Sequence, residues 1–474
     1  MNLHSSVAPP AGTESAEPTL HTRALRAAVC VVLAAATYGL APEPATLRAG
    51  LALFVLTGGL WMTQALPLAV TALLVPVLAA LTGLATPRAA LAPFAHPVIF
   101  LFLGSFALAA ALQAQNLDRA LALRVMRAAG NDRARAVLLL CALAAALSMW
   151  ISNTATAAMM LPLALGLLRD DATPPDTAAG TAPGSRETVF VLLALAYSCS
   201  IGGMATLIGS PPNAIAAAQA GIGFAQWLRY GLPAALLLWP LMMALLWWRL
   251  RPRFDGGAVV HEATIAWNGP RRATVAIFAL TVAGWIGGAP LARVLGVGAD
   301  SDTVVALCAL VALVASGCLG WRELEARAHW GVLLLFGGGL ALSELMQSSG
   351  ASGFLAGQVL ALLGDAPRIL LLGAVLLFVI FLTELVSNTA STALVLPILL
   401  PAVLALGLSP QSAAAGVAIA ASCAFMLPVA TPPNAIVFAT GRVPQSVMMR
   451  CGLWLNLACG ITLTAGVWSA SRWP

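Results

Sequence analysis

Two copies of a Ser-Asn-Thr (SNT) motif are the part of this sequence best suited to bind a ligand. Residues 152–163 are SNTATAAMMLPL and residues 387–398 are SNTASTALVLPI, with seven of twelve positions identical at an offset of 235. The same offset pairs Ser148 with Thr383, which lie four positions before each motif. Hydroxyl and amide groups offer oxygen ligands to a hard cation and hydrogen bonds to an anion. The repeated motif therefore predicts paired sites for small ions.

A Pro-Pro-Asn (PPN) motif follows each SNT motif. Residues 209–215 are GSPPNAI and residues 430–436 are ATPPNAI, at an offset of 221; a longer polar loop, 169–186, accounts for the changed offset. Proline cannot continue a helix normally, so each PPN motif should break its helix. Non-helical backbone at membrane depth occurs only where it is buried in protein or lines a cavity. Repeated breaks in corresponding apolar segments indicate the binding site of a secondary transporter, with each SNT motif at the tip of a re-entrant hairpin.

The charge around these motifs favours a site that uses cations. No arginine lies within or beside them, and the nearest in sequence to the SNT motifs are Arg169 and Arg368. A buried anion without a compensating charge costs several kcal/mol or more. Two hard cations held by carbonyl, hydroxyl and amide oxygens would supply that charge.

The composition predicts that the elements carrying these motifs are membrane helices. Hydrophobic residues make up 60% of the 474 residues and charged residues 9%, against about 45–50% and about 25% in soluble domains. All 24 basic residues are arginine, which excludes a lysine-dependent phosphate loop and Schiff-base catalysis. The eight cysteines and five histidines share no metal-ligand spacing. We therefore predict no enzyme, no bound cofactor and, because the arginines sit at membrane boundaries, no nucleic-acid partner.

The distribution of arginine predicts the orientation in the membrane. Apolar segments follow one another from about residue 26, and residues 1–22 are predicted to be a disordered tail. With the N-terminus in the cytoplasm, 18 arginines lie inside and six lie outside, at positions 48, 88, 229, 293, 368 and 472. Cytoplasmic loops carry the excess of basic residues in membrane proteins. The sequence therefore predicts an integral protein of a bacterial inner membrane with a cytoplasmic N-terminus.

Together these motifs resemble the divalent anion:sodium symporters, a family that carries dicarboxylates, citrate or sulfate. The similarity includes both SNT and both PPN motifs, WMTQALPLAVTALL at 61–74 and WGVLLLFGGGLALS at 330–343. It extends from about residue 50 to residue 470. The resemblance implies an all-helical protein of two inverted repeats, with about 11 transmembrane helices and two re-entrant hairpins. It also implies a homodimer in the lipid bilayer and an elevator-type movement of a transport domain against a scaffold.

The resemblance also implies ion and substrate ligands, named here by their numbers in this sequence. One sodium site would use Ser148, Ser152, Asn153 and backbone near Gly209. A second would use Thr383, Ser387, Asn388 and backbone near Ala430. The residues expected to contact the divalent anion are Ser152, Asn153, Thr154, Pro211, Ser387, Asn388, Thr389 and Pro432.

The implied domains follow the same repeat. The boundaries are a tail (1–22), first-half scaffold helices (23–135), the first hairpin and broken helix (136–219), a following helix (220–248), a basic cytoplasmic connection (249–272), second-half scaffold helices (273–367), the second hairpin and broken helix (368–441) and a C-terminal helix (442–474).

Three local features leave alternatives open. Gln64 stands where the family often has glutamate, which puts any role of that carboxylate in doubt. Glu384, next to Thr383, is either an ion or proton ligand or the acceptor of a hairpin-stabilising hydrogen bond. Residues 116–135, with five arginines, are predicted to form one amphipathic helix resting on anionic lipid.

The leading functional hypothesis is sodium-coupled import of a divalent anion such as a C4-dicarboxylate. A sodium-independent dicarboxylate exchanger and a sulfate transporter would share the same fold. An intramembrane enzyme would require a nucleophile with a base, or a metal cluster, and the sequence offers neither. A passive channel would not need repeated broken helices.

Overall fold

A computed structural model describes most of the chain. The described residues are 20–130, 132–168, 185–254, 267–296, 300–363, 366–405 and 407–471. Every regular element within these ranges is helical. Nearly all of the predicted tail and of the 169–186 loop, and much of the basic connection at 249–272, lie outside the described residues.

The helices of the first half are named in chain order. They are α1 Leu20–Leu40, α2 Ala45–Thr63, α3 Leu68–Leu81, α4 Pro87–Leu91, a 3-10 helix Ala92–Ala95, α5 Pro97–Ala114, α6 Leu117–Ala129, α7 Arg133–Ser148, α8 Asn153–Leu167, α9 Arg186–Met204, α10 Pro211–Ala220 and α11 Phe224–Leu250. Those of the second half are α12 Gly269–Leu295, α13 Ser301–Ala315, α14 Trp321–Arg327, α15 Trp330–Ser348, α16 Ala351–Leu363, α17 Arg368–Leu385, α18 Asn388–Ala405, α19 Pro410–Ala421, α20 Pro432–Phe438 and α21 Gln445–Ala470.

The protein is an all-helical membrane protein, as predicted. Within the described ranges, nine helical segments are long and apolar enough to cross a membrane, and three shorter apolar helices accompany them. In the most apolar 18-residue stretch of α9, 94% of the residues are buried, whereas in that of α1 only 11% are. An apolar helix that is exposed in the isolated protein can face lipid without cost, because lipid tails are themselves apolar. The core therefore centres on α9, against which the first hairpin (α7 and α8), α11 and α20 pack.

The order of elements in the first half recurs in the second. A long helix, a short helix, a hairpin, a broken helix and a second long helix form the series α5–α11, and α15–α21 repeat it. The breaks fall at the motifs predicted to make them. Ser152 caps α8 by accepting a hydrogen bond from the Ala155 amide at 3.3 Å, and Asn388 begins α18. Pro211 and Pro432 occupy the first positions of α10 and α20, where their missing N–H groups leave no helical bond unmade.

The prediction of one amphipathic helix over residues 116–135 is wrong. Helix α6 ends at Ala129, and Gly130 then adopts a positive φ of 65° that ends the helix. Arg133 begins α7, where it is buried and forms an ion pair with Glu187 of α9 at 3.6 Å. Helix α7 therefore starts three residues before the predicted boundary at 136, where the Asp132 side chain caps it by accepting a hydrogen bond from the Arg135 amide at 3.0 Å.

Candidate functional site

A cavity of about 630 Å³ lies between the two hairpin tips. Both SNT motifs, which are 235 residues apart in sequence, contribute to its wall. The structure brings together there all of the residues expected to contact the anion, together with both residues expected to supply backbone ligands and Gln64. They are Gln64, Ser152, Asn153, Thr154, Gly209, Pro211, Ser387, Asn388, Thr389, Ala430 and Pro432.

Two of the predicted ion ligands lie behind the tips instead of lining the cavity. Ser148 and Thr383 are fully buried at the ends of α7 and α17. The Ser148 hydroxyl donates to Asn153 Oδ1 at 2.6 Å, and the Thr383 hydroxyl lies 2.6 Å from Asn388 Oδ1. Thr383 Oγ1 also lies 2.8 Å from the Ala421 carbonyl oxygen. At the second tip one hydroxyl proton cannot serve both acceptors at once, so three oxygens lie close together there. At the first tip the two hydrogen-bonded oxygens lie 2.6 Å apart. Hydroxyl and carbonyl oxygens are ligands that hard cations accept.

The asparagines of the PPN motifs connect the two parts of each broken helix by hydrogen bonds. Asn213 Nδ2 donates to the carbonyls of Gly203 at 2.9 Å and Thr206 at 2.8 Å. Asn434 Nδ2 donates to the carbonyls of Ala424 and Leu427, both at 3.1 Å. All three positions obey the offset of 221. One amide therefore satisfies two carbonyls that the break deprives of helical partners. The sequence predictions missed this role, although the repetition of the asparagine was the available signal.

Glu384 binds the backbone of the unwound segment 422–431 between α19 and α20. Its buried carboxylate accepts hydrogen bonds from the amides of Phe425 at 2.6 Å, Met426 at 2.8 Å and Leu427 at 3.0 Å. Asn456 of α21 donates a fourth bond at 2.7 Å. Glu384 is absent from the described wall of the cavity. Of the two alternatives, the structure therefore shows the structural hydrogen bonds, made to the broken helix beside the hairpin.

The two halves differ in how they fix their unwound segments. The offset of 235 places Met149 opposite Glu384, and the Met149 carbonyl accepts a hydrogen bond from Thr206 at 2.5 Å. In the second half, the Tyr197 hydroxyl of α9 donates to the Phe425 carbonyl at 2.6 Å. The second segment is thus held by a carboxylate and by a helix of the other half, whereas a single hydroxyl bonds the first segment to its hairpin.

Further residues of α5 and α15 line the cavity and were not predicted. Phe106 packs edge to face against His329, with ring centroids 5.3 Å apart. His329 is the one histidine among the described lining residues. Gln64 reaches the cavity from the end of α2, where its own backbone is left-handed with φ 50°. No sequence motif marks Phe106 or His329, whereas Gln64 lies within WMTQALPLAVTALL at 61–74.

Gly203 supplies a test of the first tip. A Cβ at this position would lie 2.5 Å from Asn153 Oδ1 and 3.0 Å from the Gly209 carbonyl oxygen. We expect Gly203→Ala to displace Asn153 and to lower initial uptake by about tenfold or more, since overpacking costs about 1–3 kcal/mol. Gly166→Ala on α8 is the matched control, because its Cβ would meet no atom within 4 Å. Equal uptake by the two variants would contradict the packing at this tip.

Comparisons with known proteins agree with this architecture. A model of the CitMHS family, described as citrate transporter, matches residues 59–402. An uncharacterized transporter of Haemophilus influenzae is 44% identical over 424 residues, covering 88% of this chain and 90% of the relative. The sodium-dependent dicarboxylate transporter SdcS of Staphylococcus saprophyticus is 33% identical over 427 residues, covering 84% and 81%.

A solved structure shares the fold. The crystal structure of the Alcanivorax borkumensis YdaH transporter, described as having an unusual topology, aligns with a TM-score of 0.53 at 16% identity. The alignment covers 81% of this chain and 87% of that one. At this identity the likeness concerns the fold alone. With the family match and the relatives, it confirms the resemblance stated from the sequence: the chain belongs to the CitMHS family of citrate transporters and is a transporter, not an enzyme.

Proposed function

We propose that this protein imports a divalent anion, such as a C4-dicarboxylate, together with sodium ions. The observation that carries the proposal is the cavity between the two tips, with a hydroxyl oxygen and an amide oxygen 2.6 Å apart at each SNT motif. The relatives named as sodium-dependent dicarboxylate transporters support the same substrate and coupling ion.

The electrostatics of the cavity favour cation coupling. None of the described lining residues is arginine. The positive ends of helices compensate part of an anion's charge, and α8, α10, α18 and α20 all begin at this cavity. These partial charges do not neutralise a dianion. Two sodium ions would complete the compensation, because a buried uncompensated charge is costly.

Each sodium ion is assigned to one tip. The first site uses Ser148, Ser152, Asn153 and the backbone near Gly209. The Cβ distances at Gly203 support this set, because they place Asn153 Oδ1 and the Gly209 carbonyl oxygen on the same side of one α-carbon.

The second site uses Thr383, Ser387, Asn388 and the backbone near Ala430. The anion lies between the two sites, against Thr154, Thr389 and the prolines Pro211 and Pro432. Hydroxyl groups and free helix amides there can donate hydrogen bonds to carboxylate oxygens.

The mechanism is part of the proposal. We propose that the two halves are inverted repeats and that the hairpins and broken helices move together, as an elevator, against scaffold helices in each protomer of a homodimer. The repeated order of elements supports this proposal. Uptake that continues after a hairpin is cross-linked to α5 would contradict the elevator, and a monomer by light scattering would contradict the dimer.

Sodium coupling predicts linked binding. We expect the affinity for succinate to rise as sodium rises, and sodium to bind more tightly when succinate is present, because linkage is reciprocal. The coupling is expected to change affinity by about 5- to 150-fold, the usual range for linked sites. Calorimetric titration at low and high sodium, with choline keeping ionic strength constant, measures it. Equal affinities at low and high sodium would reject sodium coupling and favour the sodium-independent exchanger. A protein that binds sulfate but does not bind succinate would favour the sulfate transporter.

The orientation follows from the arginine count. We expect a cysteine placed within residues 176–184 to react with a membrane-impermeant maleimide only from the cytoplasmic side of a bacterial inner membrane. A cysteine within 298–301 should react only from outside. Most of these positions lie outside the described residues. The background variant replaces Cys308, which is exposed. Reversed labelling would place the N-terminus outside.

A further inference from the structure

A second cavity, of about 400 Å³, lies beside the first hairpin. It is enclosed by α6, by the end of α7 and by the start of α12, and Trp150 lines both this cavity and the one between the tips. Trp150 stands two residues before Ser152 and packs edge to face against Phe278 of α12, with centroids 5.3 Å apart. This lateral cavity therefore adjoins the chain segment that leads into the first SNT motif.

The wall of the lateral cavity is apolar with a basic part. Most of the lining is aliphatic or aromatic, namely Leu112, Leu117, Ala120, Leu121, Ala146, Leu147, Trp150, Ile151, Trp267, Val275 and Phe278. Arg124 and Arg127 contribute from α6, and Arg271 contributes from α12. Two of the five arginines in the 116–135 segment thus converge on one cavity with an arginine that lies more than 140 residues further along the chain.

The net charge of the described lining is positive. Asp118 is its one carboxylate, against three arginines. Burial raises the pKa of the Asp118 carboxyl, although Arg327 and Arg119 oppose that shift. Arg271 is held in place because its Nε donates to the Gln115 carbonyl at 2.9 Å. An anionic group in the cavity could therefore contact the guanidinium groups of Arg271, Arg124 and Arg127.

We propose that the lateral cavity binds an anionic membrane phospholipid, with its phosphate against Arg124, Arg127 and Arg271. The ligand must be amphiphilic, because a small dicarboxylate has no apolar part for the leucine and tryptophan surface. Leu121, Trp267 and Val275 are exposed beside the arginines, so acyl chains can leave the cavity over apolar side chains. The volume is within the range of about 300–1,000 Å³ typical of ligand pockets.

A bound lipid would also affect the first hairpin. It would contact Trp150 and Ile151, which precede the tip residue Ser152. Because a ligand that binds only the folded state stabilises it, an anionic lipid should raise the melting temperature of the protein. This effect does not depend on which anion is transported, so the lipid site and the proposed transport function can fail separately.

Native mass spectrometry and thermal melting of the purified full chain in a neutral detergent test the site. The probes are dioleoylphosphatidylglycerol, dioleoylphosphatidylcholine, glycerol 3-phosphate and oleate. We expect phosphatidylglycerol to bind and raise the melting temperature, and the other three to do neither. Equal effects of phosphatidylcholine would overturn the requirement for negative charge. Equal effects of glycerol 3-phosphate or of oleate would show that a soluble phosphate or a bare fatty acid suffices, and would overturn the phospholipid.

Two variants locate the binding. Arg124→Gln/Arg127→Gln should weaken phosphatidylglycerol binding by about 30-fold, since each arginine near an anionic lipid contributes about 1 kcal/mol. Arg119→Gln/Arg272→Gln is the matched control, because it removes the same charge from α6 and α12 at positions outside the described cavity lining. An equal loss of phosphatidylglycerol binding in the control would show that surface charge in general causes the effect, and would overturn the site.

The second variant tests the cavity itself. Ala120→Trp keeps every arginine and fills the space with a large side chain. We expect phosphatidylglycerol binding to fall at least as far as in Arg124→Gln/Arg127→Gln. Unchanged binding to a folded Ala120→Trp protein would show that the lipid does not enter the cavity.

Discussion

Asn388→Ala is expected to lower anion uptake severely while the protein remains folded, and Asn153→Ala is expected to do the same. Each asparagine places Oδ1 2.6 Å from a buried hydroxyl, that of Ser148 or Thr383. Alanine removes the amide oxygen that the proposed sodium site requires. Interactions with a charged group contribute about 1.5–3 kcal/mol, so the initial rate of uptake at subsaturating sodium should fall by roughly 10- to 150-fold. Uptake into proteoliposomes measures it.

A variant of the same chemistry controls for a general loss of asparagine. Asn268→Ala removes an exposed amide that precedes α12, whose Oδ1 accepts a hydrogen bond from the Arg271 amide at 3.0 Å. We expect near-normal uptake from Asn268→Ala, because this residue is absent from the described lining of the cavity between the tips. Near-normal uptake by correctly folded Asn388→Ala or Asn153→Ala would contradict the assignment of the ion sites.

Glu384→Gln is expected to destabilise the second half of the protein. The Glu384 carboxyl group accepts four hydrogen bonds, three from consecutive backbone amides and one from Asn456. The glutamine amide group has N–H donors where an acceptor is required, so at least one buried donor loses its partner. Such a loss costs about 1–3 kcal/mol per group and more where the acceptor was charged. We therefore expect a lower melting temperature and a loss of uptake.

The same variant separates the two roles considered for Glu384. If Glu384 is a structural acceptor, the Glu384→Gln protein is less stable at every sodium concentration and at every pH near neutrality. An ion or proton ligand would instead keep its melting temperature and change the sodium or pH dependence of uptake. Glu325→Gln, which alters an exposed carboxylate on α14, serves as the control for the loss of one negative charge.

The sequence by itself determined the membrane class and the location of the breaks. Polar residues are costly within apolar helices, so the two SNT and two PPN motifs can be recognised without knowledge of any contact. Their constant offsets also indicated which residues correspond. All of the predicted anion contacts line one cavity, because a break exposes backbone and side chains at the point where a helix starts.

Contacts between residues far apart in sequence could be seen only in the tertiary structure. Glu384 has no sequence signal for its contact with residues 425–427, which are about 40 positions away. Phe106 reaches the cavity from α5 and His329 from the residue that precedes α15. Arg133 was assigned to the wrong element although the signals were local, since Gly130 ends α6 and Asp132 caps α7; its ion pair with Glu187 could be seen only in the structure. Hydrophobic patterning and helix breaks are local properties of the chain, whereas hydrogen-bond partners and cavity walls depend on how helices far apart in sequence pack together.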